Sequence, residues 1–116
     1  MNKYVVIVCG GRRYDDAARV YQVLDEIVTR PLIIVQGDAV GADYLAKMWA
    51  GSRGIHCATV PALWEVNGKS AGPIRNEAML MLNPDLVIAF PGGRGTADMV
   101  ARANAMGVPV QVVDRG

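Results

Sequence analysis

Residues 86–96 read LVIAFPGGRGT, an apolar run of strand length that ends directly in a glycine-rich turn. Val, Ile and Leu without polar alternation are typical of a strand that is buried on both faces of a parallel sheet. The glycines allow a tight turn with φ > 0, and they also let backbone N–H groups approach a ligand. The stretch therefore predicts a buried parallel strand that runs through a permissive loop into a helix.

The same arrangement recurs on either side of this stretch. The apolar runs predict strands at 4–9, 32–36, 56–60, 86–90 and 109–113. The segments with helical period lie within 15–30, 41–54, 72–82 and 96–106. Because each parallel connection needs a crossover helix, the alternation predicts an α/β fold. We expect one Rossmann-like, doubly wound parallel sheet of order 3-2-1-4-5, formed by residues 1–116 as a single domain.

Several local features of the helices are also predicted. Asp15 is expected to cap the first helix, and Gly54 to end the second. Leu45, Met48 and Trp49 are expected to face inward from the second helix. Core filling is the expected role of four methionines, Met48, Met79, Met81 and Met99. Residues 61–72 show no strong period, and a loop of this length in a small domain is usually functional or mobile.

Composition narrows the classes of function. The net charge is +1, which argues against nucleic acid as the main partner because such binders usually carry a basic face. Cys9 and Cys57 have no CxxC spacing and are interpreted as reduced core residues, and His56 stands alone, so neither a metal nor a cofactor is expected. No signal peptide or membrane-spanning run is recognisable, which predicts a soluble cytoplasmic protein.

Three predicted strands end in glycine-containing loops. Their sequences are CGGRRYDD, VQGDAVGAD and FPGGRGTAD, after strands 1, 2 and 4. In a sheet of order 3-2-1-4-5, strands 1 and 4 are neighbours and the chain changes direction between them, which opens a crevice at their carboxyl ends. The spacing matches neither the GxGxxG dinucleotide fingerprint nor a Walker loop. We therefore predict an anion-binding site of another type at this crevice.

Arginines gather where helix dipoles disfavour them. Arg12, Arg13, Arg75 and Arg94 all lie near predicted helix N-termini, where a cation costs roughly 0.3–1 kcal/mol. A phosphate between them would satisfy both the guanidinium groups and the N–H groups. The alternative is that nearby carboxylates pair with the arginines. Those carboxylates are Asp15, Asp38, Asp43, Glu77 and Asp98.

Two aromatic residues fall in loops on the same edge. Trp64 and Tyr14 offer ring faces on which a nucleobase could stack. The other interpretation is that Trp64 packs the long segment 61–72 onto the body of the domain. The sequence leaves both roles open.

Four motifs, in order, resemble the SLOG superfamily, and more narrowly its YspA- and YpsA-related branch. They are VIVCGGRRYDD, IVQGDAVGADYLAKMWA, VPALWEVNGKSAGPIRNEAML and VIAFPGGRGTADMVARANAMGVPV, which together cover nearly the whole chain. The resemblance implies a Rossmann-like nucleotide-binding domain. Well-understood relatives of the Lonely Guy type are phosphoribohydrolases, which cleave the N-glycosidic bond of a nucleoside 5′-monophosphate and release the base and ribose 5-phosphate.

The match to these relatives is incomplete at the catalytic position. They share PGGxGTxxE and RKxxM; Arg75 and Met79 match the second motif, with Asn76 where the lysine stands. The glutamate of the first motif falls at Met99, whose thioether cannot act as acid or base. Asp98 is adjacent but points about 100° further round the helix. Candidate replacements for the glutamate are Asp98, Glu77, Asp38 and Asp43.

The resemblance and the residues together lead to one prediction with two alternatives. We expect binding of a phosphorylated nucleoside, or of an NAD- or ADP-ribose-derived nucleotide, with N-glycosidic hydrolysis. The alternatives are a non-catalytic nucleotide sensor and a single-stranded DNA-binding module like DprA. Catalytic roles are expected for Arg75, Asp98 and Glu77. Nucleotide contacts are expected from Gly10, Gly11, Arg12, Gly37, Asp38, Gly41, Ala42, Asp43, Trp64, Arg75, Asn76, Pro91, Gly92, Gly93, Arg94, Gly95 and Thr96.

Self-association is the remaining expectation. The fourth predicted helix carries small residues that permit close helix packing, namely Ala97, Ala101, Ala103 and Ala105. The related enzymes are dimers, so the resemblance implies a homodimer or a larger assembly. The expected partners are thus a small-molecule nucleotide and further copies of the same chain.

Overall fold

A five-stranded sheet, parallel throughout and ordered β3-β2-β1-β4-β5, organises the computed structural model, which describes residues 3–114. The strands are β1 Tyr4–Cys9, β2 Leu32–Gln36, β3 His56–Thr59, β4 Leu86–Ala89 and β5 Val110–Val112. The helices are α1 Ala17–Asp25, α2 Ala42–Arg53, α3 Trp64–Asn67, α4 Ala71–Leu80 and α5 Arg94–Ala105, with a 3₁₀ turn at Gly68–Ser70. The predicted fold class and strand order are confirmed.

The central strand β1 distributes its side chains alternately between two cores. Val6 and Val8 pack with β2 and with α1 and α2 on one face. Ile7 and Cys9 pack with α4 and α5 on the other face. Both sets are buried, which explains why β1 is a continuous apolar run.

The N-cap of α1 and the burial of two methionines differ from the predictions, whereas the end of α2 agrees with them. The N-cap of α1 is Asp16, not Asp15, because the Asp16 side chain accepts a hydrogen bond from the backbone N–H of Arg19. Met48 and Met81 are 47% and 71% exposed and fill no core, whereas Met79 and Met99 are buried. Gly54 ends α2 in the left-handed conformation, as predicted.

The segment 61–72 is more ordered than the sequence predicts. It contains α3, the 3₁₀ turn and the beginning of α4. One consequence concerns Arg75, which lies in the second turn of α4 because the helix begins at Ala71 rather than at Gly72. The segment therefore forms a short helical wall beside the carboxyl ends of the strands.

Three loops interlock at the carboxyl edge of the sheet. The backbone N–H of Gly11 donates to the carbonyl oxygen of Pro91 at 2.9 Å, and the N–H of Ala42 donates to the carbonyl oxygen of Gly11 at 3.2 Å. Gly41 has φ +82°, and a Cβ there would collide with the backbone of Gly11. These contacts require glycine and fix the loops after β1, β2 and β4 against one another.

No helix within residues 3–114 is long and apolar enough to span a bilayer.

Candidate functional site

A cleft of about 610 Å³ opens at the carboxyl ends of β1 and β2, between the interlocked loops and helices α4 and α5. Its floor includes Cys9, Gly10 and Gly37, which directly follow or end buried strands. The N-terminus of α5 borders it through Gly93 and Arg94. The cleft thus lies at the switch point of the sheet, where the strand order predicts a ligand site.

Positive charge dominates the lining of this cleft. Arg12, Lys69, Arg75 and Arg94 line it. The carboxylates in the lining are Asp43 and Asp98. Within residues 3–114, the ion pairs are Arg53 with Asp25, and Arg102 with Glu77 and Asp98, so none of them includes a cation of the cleft. The alternative that carboxylates pair with the arginines of the cleft therefore has no ion pair to support it, although the charge of Arg75 acts on nearby Asp43.

Arg75 is fixed at one end of its guanidinium group. Its Nη1 donates to the carbonyl oxygen of Gly37 at 2.7 Å, and its Nε donates to Oδ1 of Asn76 at 3.0 Å. A Cβ at Gly37 would collide with Nη1 of Arg75 and lie 3.0 Å from Oδ2 of Asp43. The absence of a side chain at Gly37 is thus what allows Arg75 to lie against the loop.

Asp43 is the buried carboxylate of the cleft. It is 5% exposed, and its Oδ2 accepts hydrogen bonds from the N–H groups of Gly37 at 3.1 Å and Ala39 at 3.2 Å. Burial raises the pKa of Asp43, while those hydrogen bonds and the charge of Arg75 act in the opposite direction. The Asp43 carboxylate therefore holds the loop after β2 in its conformation and interacts with the nearby charge of Arg75.

Asp98 is held towards the cleft by two donors. Asn76, itself 3% exposed, donates through Nδ2 to Oδ2 of Asp98 at 3.0 Å and to the carbonyl oxygen of Gly95 at 3.1 Å. Arg102 donates to the same carboxylate oxygen at 2.9 Å. Met99 does not line the cleft and is fully buried in the core beneath α5. The position aligned with the relatives' glutamate therefore faces inward, and its neighbour faces the cleft.

Helix α5 begins earlier than predicted. Its N-cap is Gly93 and its first residue is Arg94, so Thr96 does not cap it. The Thr96 hydroxyl lies instead where a Cβ on Gly92 would collide with it. For the same reason Asp98 lies beyond the first turn of α5, which contains no acidic residue.

Trp64 and Arg12 meet at the mouth of the cleft. The guanidinium carbon of Arg12 lies 5.4 Å from the centroid of the Trp64 ring, within the range of a cation–π contact. Trp64 is 47% exposed, and its ring tip lies 3.4 Å from the position of a Cβ on Gly72. The ring thus packs against the start of α4 and still offers exposed surface to a ligand. Tyr14 packs against Phe90, with ring centroids 5.4 Å apart.

The structure brings most of the predicted site residues into the cleft. Those that line it are Gly10, Gly11, Arg12, Gly37, Asp43, Trp64, Arg75, Asn76, Gly93, Arg94, Gly95, Thr96 and Asp98. Asp38, Gly41 and Ala42 lie outside its lining, and Pro91 and Gly92 line an adjacent hollow. Glu77 also lies outside, with its carboxylate 3.9 Å from Arg102.

Sequence reasoning did not place two further side chains, those of Lys69 and Cys9, in the lining. Lys69 comes from the 3₁₀ turn, in a segment whose lack of period gave no indication of its direction. Cys9 ends β1 and borders the cleft. Burial raises the pKa of its thiol to about 12, so Cys9 stays protonated at neutral pH.

The order of the sheet and the position of the cleft define a Rossmann-like α/β domain. The chain belongs to the YspA, cpYpsA-related SLOG family, whose model matches residues 4–66. This membership agrees with the resemblance that the motifs indicate.

The chain is also similar to individual proteins. The Gene 61 protein of Mycobacterium phage D29 is 38% identical over 115 residues, covering 90% of this chain and 92% of that protein. Among solved structures, DNA processing protein A (DprA) from Streptococcus pneumoniae matches with a TM-score of 0.83 at 22% identity, over 98% of this chain and 51% of that one. The chain therefore spans about half the length of DprA. TM1055 matches with a TM-score of 0.73 at 16% identity, over 92% of this chain and 72% of its own. Both structures share the fold.

Proposed function

We propose that the cleft binds a phosphorylated nucleoside through its phosphate. The observation that carries the proposal is the surplus of cations: four positive side chains and two carboxylates line one cleft, and none of those cations has an ion-pair partner within residues 3–114. The four cations outnumber the two carboxylates, so their mutual repulsion is only partly offset, and a bound phosphate would relieve the remainder. Because the cleft borders the positive end of α5, the helix dipole adds to the attraction.

The phosphate would lie at the start of α5, and the rest of the nucleotide would extend over β1 and β2. Arg94 and Thr96 are the donors from α5, and Arg75 approaches from α4. Trp64, which is about half exposed and lines the cleft, is the candidate for stacking a base. This placement uses the glycine loop as a contact for the phosphate and the apolar side of the cleft as a contact for the nucleoside.

The reaction that we propose is hydrolysis of the N-glycosidic bond. The bond between the sugar C1′ and the base nitrogen breaks, a water oxygen bonds to C1′, and a proton from that water passes to the departing base. A carboxylate near C1′ stabilises the positive charge that develops on the sugar, as in other glycoside hydrolyses. Asp98 is the candidate for this role because it lines the cleft, and Asp43 is the second. Glu77 would act only through Arg102, as a positioning residue.

A non-catalytic sensor is the second candidate, and a separate observation favours it. Met99 occupies the position aligned with the relatives' glutamate and is fully buried, so no carboxylate reaches the cleft from there. Asp98 already accepts hydrogen bonds from Asn76 and Arg102, so its carboxylate is engaged by donors of the protein itself. A domain with this arrangement would bind a nucleotide and leave it intact.

Incubation with nucleoside 5′-monophosphates, followed by chromatography for free base, separates the two candidates. If base is released, and Asp98→Asn abolishes this release without loss of binding, the hydrolase is supported. Binding without release supports the sensor.

Arg75→Ala and Arg94→Ala should each weaken binding by about 1.5–3 kcal/mol, the scale of a hydrogen bond to a charged group. Arg30→Ala is the matched control, since Arg30 lies over Tyr4 and lines neither the cleft nor the adjacent hollow. Unchanged affinity in both cleft variants would contradict the proposal.

We also propose that the protein assembles through α5 as a homodimer. Ala97, Ala101 and Ala105 are exposed on this helix, so a second helix could approach its backbone closely. Light scattering after size exclusion measures the mass directly. A monomer at micromolar concentration, or a dimer that persists in Ala101→Glu, would contradict this interface.

A further inference from the structure

A second hollow, of about 660 Å³, lies beside the cleft on the same edge of the sheet. The loops after β1 and β4 form its floor, and Asp114, which follows β5, closes its far side. The proposed function does not use this hollow. Its volume matches that of the cleft and falls within the range of roughly 300–1,000 Å³ that is typical of small-molecule sites.

The two hollows share part of their lining. Gly11, Arg12 and Gly93 border both. These residues lie where the loops after β1 and β4 meet, next to the N-terminus of α5. A ligand that occupied both hollows would therefore cross a junction made of glycine backbone and one arginine, which is a surface suited to phosphate.

The second hollow is lined by both arginines and aspartates. Arg13 and Arg19 line it together with Asp15, Asp16 and Asp114. Asp16 caps α1, but Arg13, Asp15 and Asp114 take part in none of the ion pairs within residues 3–114. Carboxylates accept hydrogen bonds from sugar hydroxyls and exocyclic amines, and arginine donates to phosphate or to base oxygens. This mixture suits a second nucleoside and its phosphate better than it suits a simple anion.

We infer that the cleft and the adjacent hollow form one site for a dinucleotide, in which two nucleosides are joined 5′ to 5′ through a diphosphate that lies over Gly11, Arg12 and Gly93. The inference rests on the proposed function, because it assigns one half of the ligand to the cleft. Two nucleosides account for two hollows of similar size, whereas a mononucleotide leaves one of them without a role. Arg12 then contacts the diphosphate that joins the two nucleosides.

Calorimetry with three probes tests this assignment. The probes are adenosine 5′-monophosphate, NAD, and two adenosines joined through a 5′–5′ diphosphate. Once one half is bound, the second half binds intramolecularly, so each dinucleotide should bind at least about tenfold more tightly than the monophosphate. Arg13→Ala should reduce this ratio of affinities towards one. Arg75→Ala should weaken all three probes and leave the ratio nearly unchanged, and Arg30→Ala should change nothing.

The possible outcomes separate this inference from the proposed function. If the monophosphate binds and neither dinucleotide binds more tightly, the two-hollow site is refuted while the proposed function stands. A preference for dinucleotides that Arg13→Ala leaves intact also refutes it. If none of the three probes binds, both proposals fail together.

Discussion

Arg75 on α4 donates a 2.7 Å hydrogen bond to the carbonyl oxygen of Gly37, in the loop that follows β2. The two residues are 38 positions apart in the chain, and the contact joins the two walls of the cleft. Because one end of the guanidinium group is anchored in this way, the remaining donors are held in the cleft before any ligand arrives. Such preorganisation reduces the entropy that binding would otherwise cost.

The contact makes Gly37 a sensitive position. In Gly37→Ala, the new methyl group would collide with the guanidinium of Arg75 and lie 3.0 Å from Oδ2 of Asp43. We expect a loss of about 1–3 kcal/mol in the free energy of unfolding, together with weaker nucleotide binding. Urea denaturation and calorimetry measure the two effects. Gly51→Ala is the control: nothing lies within 4 Å of its Cβ position in α2, so stability should rise by about 0.5–1 kcal/mol.

Asn76 links α4 to the beginning of α5 from a buried position. Asn76→Ala removes the donor to Asp98 and to the carbonyl oxygen of Gly95. Asp98 keeps its hydrogen bond from Arg102, but the carbonyl oxygen of Gly95 loses this donor and Nε of Arg75 loses its acceptor, which should cost about 1–3 kcal/mol of unfolding free energy. Asn104→Ala, at an exposed position of α5, should stay within about 0.5 kcal/mol of the wild type. Equal stabilities for the two variants would show that the Asn76 contacts contribute nothing.

Met99 offers a direct test of the missing glutamate. Met99→Glu places a carboxyl group at a fully buried position among apolar side chains, so it should destabilise the protein by several kcal/mol, about 3 or more, without creating hydrolase activity. Met99→Leu conserves the volume and should cost less than about 1.5 kcal/mol. Thermal denaturation ranks the variants, and chromatography detects released base. A stable, active Met99→Glu variant would show that this side chain reaches the cleft.

Asp25 should make the free energy of unfolding depend on pH in the acid range. Hydrogen bonds from Arg53 and from the Trp49 indole lower the pKa of its carboxyl group. A lowered pKa means that the carboxylate stabilises the folded state at neutral pH. This contribution is lost as the pH falls from about 4, the ordinary value for Asp, through the lower folded pKa. Asp25→Asn should therefore be less stable than the wild type at neutral pH, as measured by urea denaturation.

The acid range provides the check on that prediction. Below about pH 4, the difference in unfolding free energy between the wild type and Asp25→Asn should shrink steadily. A difference that stays constant from neutral to acid pH would show that the charge of Asp25 has no part in it. Asp85→Asn is not a suitable control, because Asp85 accepts a hydrogen bond from the backbone of Val5, so Glu26→Gln at the exposed end of α1 is used instead.

The sheet could be predicted from sequence because strands buried on both faces leave an unambiguous apolar signal. The alternation with helices predicts a parallel sheet, the Rossmann-like fold supplies the strand order, and the switch point follows from that order. Finer features, such as which residue caps α1, depended on single contacts. Asp15 and Asp16 are equally good caps in sequence, and only the hydrogen bond to Arg19 decides between them. Met48 fits the helical period, yet about half of it is exposed on α2.

The parts of the candidate site that the backbone positions could be predicted from the sequence. The parts that depend on the direction of a side chain were harder to predict. Residues of the three glycine loops reach one cleft because parallel strands end at the same edge of the sheet, and Arg75 reaches it from α4, whereas Arg13 lines the adjacent hollow. The direction of Asp98 depended on where α5 begins and on the donors Asn76 and Arg102. Lys69 depended on a 3₁₀ turn in a segment with no period. Neither feature has a sequence signal of its own.

The interlocked turns around Gly11, Gly41 and Pro91 have a consequence for how related chains can diverge. An added residue in any one of them would disturb the other two at once, so changes of length there would have to occur in concert. Trp64–Asn67 and the turn after it stand apart from this arrangement. New specificities are therefore expected to arise by lengthening or replacing that helical wall, and library design for altered ligands would begin there.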